Sequence, residues 1–157
     1  MKASVQDIIQ SLDEVLYGQP WYGKAVLTAL DSVDPDHAFY KPDPGSHSAI
    51  DLLYHMITWT EFTVDRLGKK QMDPEEFEKL DWQKINPETH SWGKGIARFK
   101  TANDQIIEVL KSADDSLLEA KVDYRDYNFE HLLSGLIGHH IYHIGQIMYV
   151  GKMRERG

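Results

Sequence analysis

Cysteine is absent from the 157 residues, and with it go disulfides, thiolate metal sites and any protein thiol nucleophile. Long apolar runs free of polar residues are missing too. No stretch approaches the ~18 apolar residues of a membrane span, and Lys2 to Asp7 lacks the apolar segment of a secretory signal, so a soluble cytoplasmic protein with no membrane partner is expected. Positive charge is scarce: 17 Lys and Arg stand against 25 Asp and Glu, a formal charge of -8. Phosphate binding needs clustered cations. The one basic cluster, Lys152-Met153-Arg154-Glu155-Arg156, sits where a helix C-terminus would favour positive charge, so no nucleic-acid partner is expected. Internal repeats, low-complexity stretches and strongly alternating strands are likewise lacking, which leaves helices.

What is present centres on Gly138-His139-His140-Ile141-Tyr142-His143-Ile144-Gly145-Gln146, inside a proline-free apolar run from Phe129 to Val150 that reads as helix. Residues four apart on a helix differ by about 40° in direction and about 6 Å along the axis. His139 and His143 therefore share a face, and both imidazoles can reach one metal ion. Gln146 follows on nearly the same stripe, as a hydrogen-bond partner for a ligand imidazole or a bound water, or as simple helix packing. Gly135, one turn earlier, leaves room beside the pair, whereas His140 points about 100° away and reads as an interface or surface histidine. Two ligands hold a divalent ion poorly. His55, in the apolar run Ile50 to Trp59, supplies a third, and three neutral histidines with an open position make the pattern of a catalytic zinc-type site. The plainer alternative is a pair of core histidines bonded to neighbours, with His55 a satisfied buried histidine.

Taken in order, Ser4 or Asp7 caps a first helix with apolar positions Ile8, Ile9, Leu12, Val15 and Leu16. Pro20 suits the first turn of a resumed helix, so one long helical arm with a kink or a short break is expected over about 4 to 32, with Trp21 continuing its pattern. Three prolines and Gly45 mark 34–45 as a loop. Ser48 with Asp51 three residues on forms a capping box for a second long helix to about Leu67, ended by Gly68 in a left-handed conformation. A short helix follows at Pro74 to Leu80, a third long helix at about 90–111, a helical turn near Asp115 to Leu118, and a last helix from about Asn128 to Lys152. The three glycines inside that last helix, Gly135, Gly138 and Gly145, each cost about 0.5–1 kcal/mol relative to alanine, which favours a site or a tight contact. The expected fold is all-α, a four-helix bundle with long crossover connections and a metal site of inward-facing side chains, formed by one domain over 1–157.

Among the remaining candidates, Tyr54, Tyr142, Trp59 and Trp21 read as core residues, although an aromatic wall beside a metal would also suit an apolar substrate. Trp82 and Trp92 read as lids or core plugs. His47 stands just ahead of the second long helix, either at the mouth of the site or as a loop residue. His37, His90 and His131 read as surface or packing. Glu61 lies on another side of the helix from His55, so no acidic base is evident beside the triad and one would have to come from a loop.

Gly18 with Trp21, the Pro42-Asp43-Pro44-Gly45-Ser46-His47-Ser48-Ala49-Ile50 lead-in, His55 followed by Trp59, and His139-xxx-His143-Ile144-Gly145-Gln146 together resemble the DinB-like bundles that include the YfiT-type metal-dependent hydrolases. The likeness runs over nearly the whole chain. It implies a four-helix bundle with crossover connections, a metal triad at His55, His139 and His143, and a homodimer; the residues themselves offer Gln146, Tyr142, Trp59 and His47 as candidates for the surroundings of that triad or its pocket. It also implies an enzyme acting on a small-molecule substrate, either a hydrolase or an S-transferase that uses a low-molecular-weight thiol. Three neutral imidazoles leave a divalent ion its full charge, so an open position could activate water or hold a thiolate. Imidazole suits several metals; zinc leads on base rate, with nickel, iron or manganese as substitutes. The rival reading is a non-catalytic bundle that binds metal or ligand, or serves only dimerisation.

Overall fold

The computed structural model describes residues 2–70 and 72–156, with side chains through 154. Among these residues seven helices form and no strand: α1 Val5–Tyr17, α2 Val26–Asp31, α3 Ala49–Leu67, α4 Pro74–Leu80, α5 Trp92–Lys111, α6 Ser116–Glu119 and α7 Phe129–Arg156. A 3₁₀ turn at Pro35–His37 and one bridge between Lys121 and Asn128 complete the regular structure. No helix is long and apolar enough to cross a membrane among the described residues.

The four long helices are α1, α3, α5 and α7. Each of α1 and α3 packs against both α5 and α7, whereas α1 and α3 touch each other little, as do α5 and α7. Sequence neighbours among the long helices therefore include the pairs α1–α3 and α5–α7 on the diagonals, and the loops between them must cross over an end of the bundle. Leu12 and Leu16 of α1, Leu53 and Ile57 of α3, Phe99 and Ile106 of α5, and Leu133 and Ile147 of α7 all fall in one buried cluster. Burial of these stripes is the main stabilisation, since isolated helices of this length are marginal in water.

Local chemistry explains most boundaries. Ser4 and Asp7 cap α1 reciprocally, as Ser48 and Asp51 cap α3, each pair satisfying two otherwise orphaned backbone N–H groups. Asp73 accepts from Glu75 N at 3.0 Å at the start of α4, just before Pro74. Ser91 caps α5, and Asn128 Oδ1 accepts from His131 N at 3.0 Å at the start of α7.

Three expectations are corrected. Over 4–32 the break rather than the kink is present, two helices separated by Gly18 to Ala25: Gly18 is extended, a turn closes from Gly23 N to Pro20 O at 3.1 Å, and Pro20 lies in the break rather than at a helix start. Trp21 is consequently fully exposed at 101% instead of in the core. The left-handed residue after α3 is Lys69, at φ 55°, with Gly68 still right-handed. Third, α7 runs past Lys152 to Arg156; the basic cluster there includes Glu155 and Arg156, whose side chains lie outside the described residues.

Candidate metal centre

His55 is buried on α3, and His139 and His143 sit one turn apart on the face of α7 opposite it. The rings converge: Nε2 of His55 lies 2.9 Å from Nε2 of His139 and 3.1 Å from Nε2 of His143. One nitrogen from each falls within 4.8 Å of the others, a cluster that could hold a metal ion. With metal–nitrogen distances of about 2.0–2.1 Å, two imidazoles on one ion stand at most about 4.2 Å apart, a limit both measured separations meet.

The outer nitrogens set the tautomers. Asp81 Oδ1 takes the Nδ1–H of His55 in a very short bond, and Gln146 Oε1 takes the Nδ1–H of His143 at 2.6 Å. Both Nε2 atoms then turn lone pairs toward each other, 3.1 Å apart, with His139 Nε2 2.9 Å from that of His55. A shared cation satisfies all three inward nitrogens at once, and outer hydrogen bonds of this kind accompany metal-ligating histidines. The donor set fits a divalent cation. His139 differs: its Nδ1 is buried with no hydrogen-bond partner among the described residues.

Burial keeps the three rings uncharged. It pulls His139 down to about 3, assisted by the neighbouring His143 and His55 charges. His55 and His143 are also lowered by burial, opposed by Asp81 and Gln146 respectively. A neutral imidazole is the metal-binding form, so no proton has to leave at pH 7.

The short helix α4 delivers the outer partner of His55. Phe77 of α4 meets Phe62 of α3 edge to face at 5.3 Å, and Thr58 Oγ1 reaches Leu80 O at 3.5 Å, which lays α4 across α3. Asp81, the residue just past its C-terminus, bonds His55, and Trp82, held at φ 50°, stacks on the His55 ring with centroids 3.9 Å apart. His47 stacks on the other face of Trp82 at 3.8 Å. The layered His47, Trp82 and His55 close one side of the cluster.

Other candidates scatter. Tyr142 is 66% exposed and meets His143 edge to face at 4.9 Å, rather than filling the core. Trp59 is half-buried in the wall of a cavity that also includes His131 and His139. Tyr54 is buried, and Trp92 is a core plug whose Nε1 donates to Leu30 O at 3.2 Å. His140 is not a surface residue: it is wholly buried, and its Nε2 pairs with Asn103 Oδ1 of α5 at 2.8 Å, because the far side of α7 faces the bundle interior. Glu61 is committed to Arg98 through two bonds, at 2.5 and 2.7 Å. The glycines of α7 mark open space, not tight contact, since a Cβ at Gly135, Gly138 or Gly145 would meet nothing within 4 Å.

Sequence reasoning missed Asp81 and Asn103. Asp81 lies 26 positions from His55 in the chain; the available signal was an acidic residue beside a tryptophan at the end of a proline-initiated helix.

The DinB superfamily profile matches residues 23–147, most of the chain. The chain belongs to the DinB superfamily. No curated protein matches it closely enough to assign an activity. Among solved structures this DinB-superfamily chain is similar to the colibactin self-resistance protein ClbS, crystallised in complex with dsDNA: TM-score 0.70, 15% identity, 96% of each chain covered. That likeness carries the fold. It also overturns the exclusion of nucleic acid drawn above from net charge, because a bundle of the same architecture is found on duplex DNA. The physical reason is that phosphates respond to the local arrangement of cations, which the summed charge of a chain does not describe.

Proposed function

We propose that this chain is a metal-dependent enzyme in which His55, His139 and His143 hold one divalent cation, zinc in the first instance, and which directs water or a low-molecular-weight thiol at a small-molecule substrate. The observation that carries the reading is the convergence of three imidazole nitrogens, His55 Nε2 standing 2.9 Å from His139 Nε2 and 3.1 Å from His143 Nε2, with the outer nitrogens of His55 and His143 bonded to Asp81 and Gln146. A divalent cation bound by three neutral imidazoles keeps its charge and supplies Lewis acidity at an open position. Asp81 keeps the proton on Nδ1 of His55 and orients that ring, Gln146 does the same for His143, and Trp82 shields the stacked face of His55 from water. Asp81 is the carboxylate from a loop that the triad's sequence neighbourhood lacks, and its side chain is 23% exposed.

Metal analysis of untagged protein tests the reading. Stoichiometric zinc, nickel, iron or manganese that is lost in both His55→Ala and His143→Ala is expected; metal-free protein that gains none on dialysis would sink it. Turnover of esters, amides and electrophiles, with and without a glutathione-like thiol, then separates hydrolase from S-transferase, and metal binding without any turnover favours a non-catalytic bundle. The proposal includes a homodimer, supported by the exposed Tyr142, Tyr149 and Met153 along α7. Sedimentation equilibrium reads it directly.

A second reading, binding of duplex DNA, is favoured by one specific observation, the ClbS complex. On this chain Lys24 and Lys152 line one cleft beside the C-terminal part of α7. Fluorescence anisotropy with a duplex at low and high salt tests it: binding that weakens with salt and on Lys24→Gln, Lys152→Gln supports the reading, and no binding at low salt removes it.

A further inference from the structure

Beside the histidine cluster, between α3 and α7, lies a cavity of about 190 Å³ with His139 in its wall. Trp59, Phe62 and Tyr127 line it with rings, and Leu132 and Leu136 with aliphatic carbon. The Trp59 and Phe62 rings meet edge to face at 5.5 Å. Apart from the two histidines, the polar groups of the lining are the Tyr127 hydroxyl, the Trp59 indole N–H and Thr63, whose Oγ1 already donates to Trp59 O at 3.0 Å. Gly135 forms part of the wall one turn before His139, and a Cβ there would meet nothing within 4 Å. The space at this position is built by glycine rather than left by a displaced neighbour.

We propose that this cavity is the subsite for an aryl or similarly compact apolar group of the substrate, so that the carbon bearing that group is presented to the three histidines. The inference rests on the metal-site reading and deepens it by naming a substrate class. Size supports it: an enclosed apolar cavity of about 150 Å³ holds benzene, and this pocket, of about 190 Å³ and open to solvent, has room for a single substituted ring. Chemistry supports it too. A sugar, a phosphate or an amino-acid-like thiol would give up hydration against these walls and find few partners in exchange, whereas an arene gains both apolar burial and ring contacts. A second reactant has a separate cleft, where Asp43, Ser46, His47 and Gln146 stand beside Leu52, Tyr149, Val150 and Met153.

Calorimetric titration of the full chain with 4-ethylphenol, with and without zinc, tests the subsite. Saturable one-to-one binding with a negative heat-capacity change is expected, together with no binding of myo-inositol, which is of similar size but polar. Gly135→Leu and Thr63→Leu fill the cavity from opposite walls and are expected to weaken 4-ethylphenol binding by about tenfold or more through lost apolar burial, with zinc content unchanged. No saturable binding, or undiminished binding in whichever variant retains the wild-type circular dichroism and melting transition, overturns the proposal. Zinc analysis on the same samples keeps the two readings apart: 4-ethylphenol binding that Gly135→Leu abolishes in a chain taking up no zinc supports the subsite while removing the metal.

Discussion

Asp81 and Gln146 act on the outer nitrogens of two histidines, and their influence should be measurable one side chain at a time. Asp81→Ala frees the His55 ring to rotate and to choose the other tautomer, and Gln146→Leu does so for His143. Losing such an outer partner typically costs about 10–100-fold in metal affinity, so competition of each zinc-loaded variant against a chelator is expected to show weakening in that range with the fold intact. A second test concerns acid. Burial alone would raise the Asp51 carboxyl, but hydrogen bonds from the backbone and hydroxyl of Ser48, and Lys41 beside it, hold it below the ordinary carboxylate range. With the folded value depressed, the unfolded chain takes up the proton first. The contribution is therefore present above about pH 4 and lost as pH falls through the folded value. Urea titrations of Asp51→Asn against the parent are expected to show a difference at pH 7 that shrinks below about pH 4. His55, His139, His143 and Gln146 were legible at this scale because they lie on helices, where spacing gives direction. Asp81 was not, because a loop position carries no such rule.

Helices whose faces are both patterned and capped came out of the sequence close to where they stand, as with α3 between Ser48 and Gly68 and α4 after Asp73. The first arm left kink and break undecided, since periodicity on both sides of Gly18 says nothing about whether the segments share an axis. Glycines show the same division. Gly95 on α5 packs against α3 so closely that a Cβ would stand 2.8 Å from Leu53 Cδ2 and 3.1 Å from Tyr54 Cε2. Gly95→Ala is expected to destabilise the fold by about 1–3 kcal/mol through overpacking, read as a lower urea midpoint. Gly145→Ala on α7, where the space is open, is expected to stabilise by up to about 1 kcal/mol through helix propensity alone. Two glycines in long helices thus predict opposite signs, and only the neighbouring helix tells them apart. The rotation of α7 has a similar cause: His140 bonded to Asn103 at 2.8 Å and lying 4.8 Å from the Phe99 ring turns its neighbours His139 and His143 toward α3.

In the bundle as a whole, a cation on His55, His139 and His143 would tie α3 to α7 and oppose their separation. Binding to the folded state alone stabilises by about 2.7 kcal/mol at a ligand concentration one hundred times Kd. Zinc is therefore expected to raise the thermal midpoint in a concentration-dependent manner and a chelator to reverse it, and His55→Ala is expected to abolish the response. A midpoint indifferent to zinc in the parent would contradict the metal site. What the sequence determined by itself was helical content, the capped boundaries and the pair on one face of α7, because capping and periodicity act within a few residues. The diagonal arrangement of the long helices, the distance from His55 to α7, the reach of Asp81 and the aromatic cavity beside His139 were decided only by tertiary structure. Each depends on how separate helices pack and on where loops of no fixed period deliver their side chains.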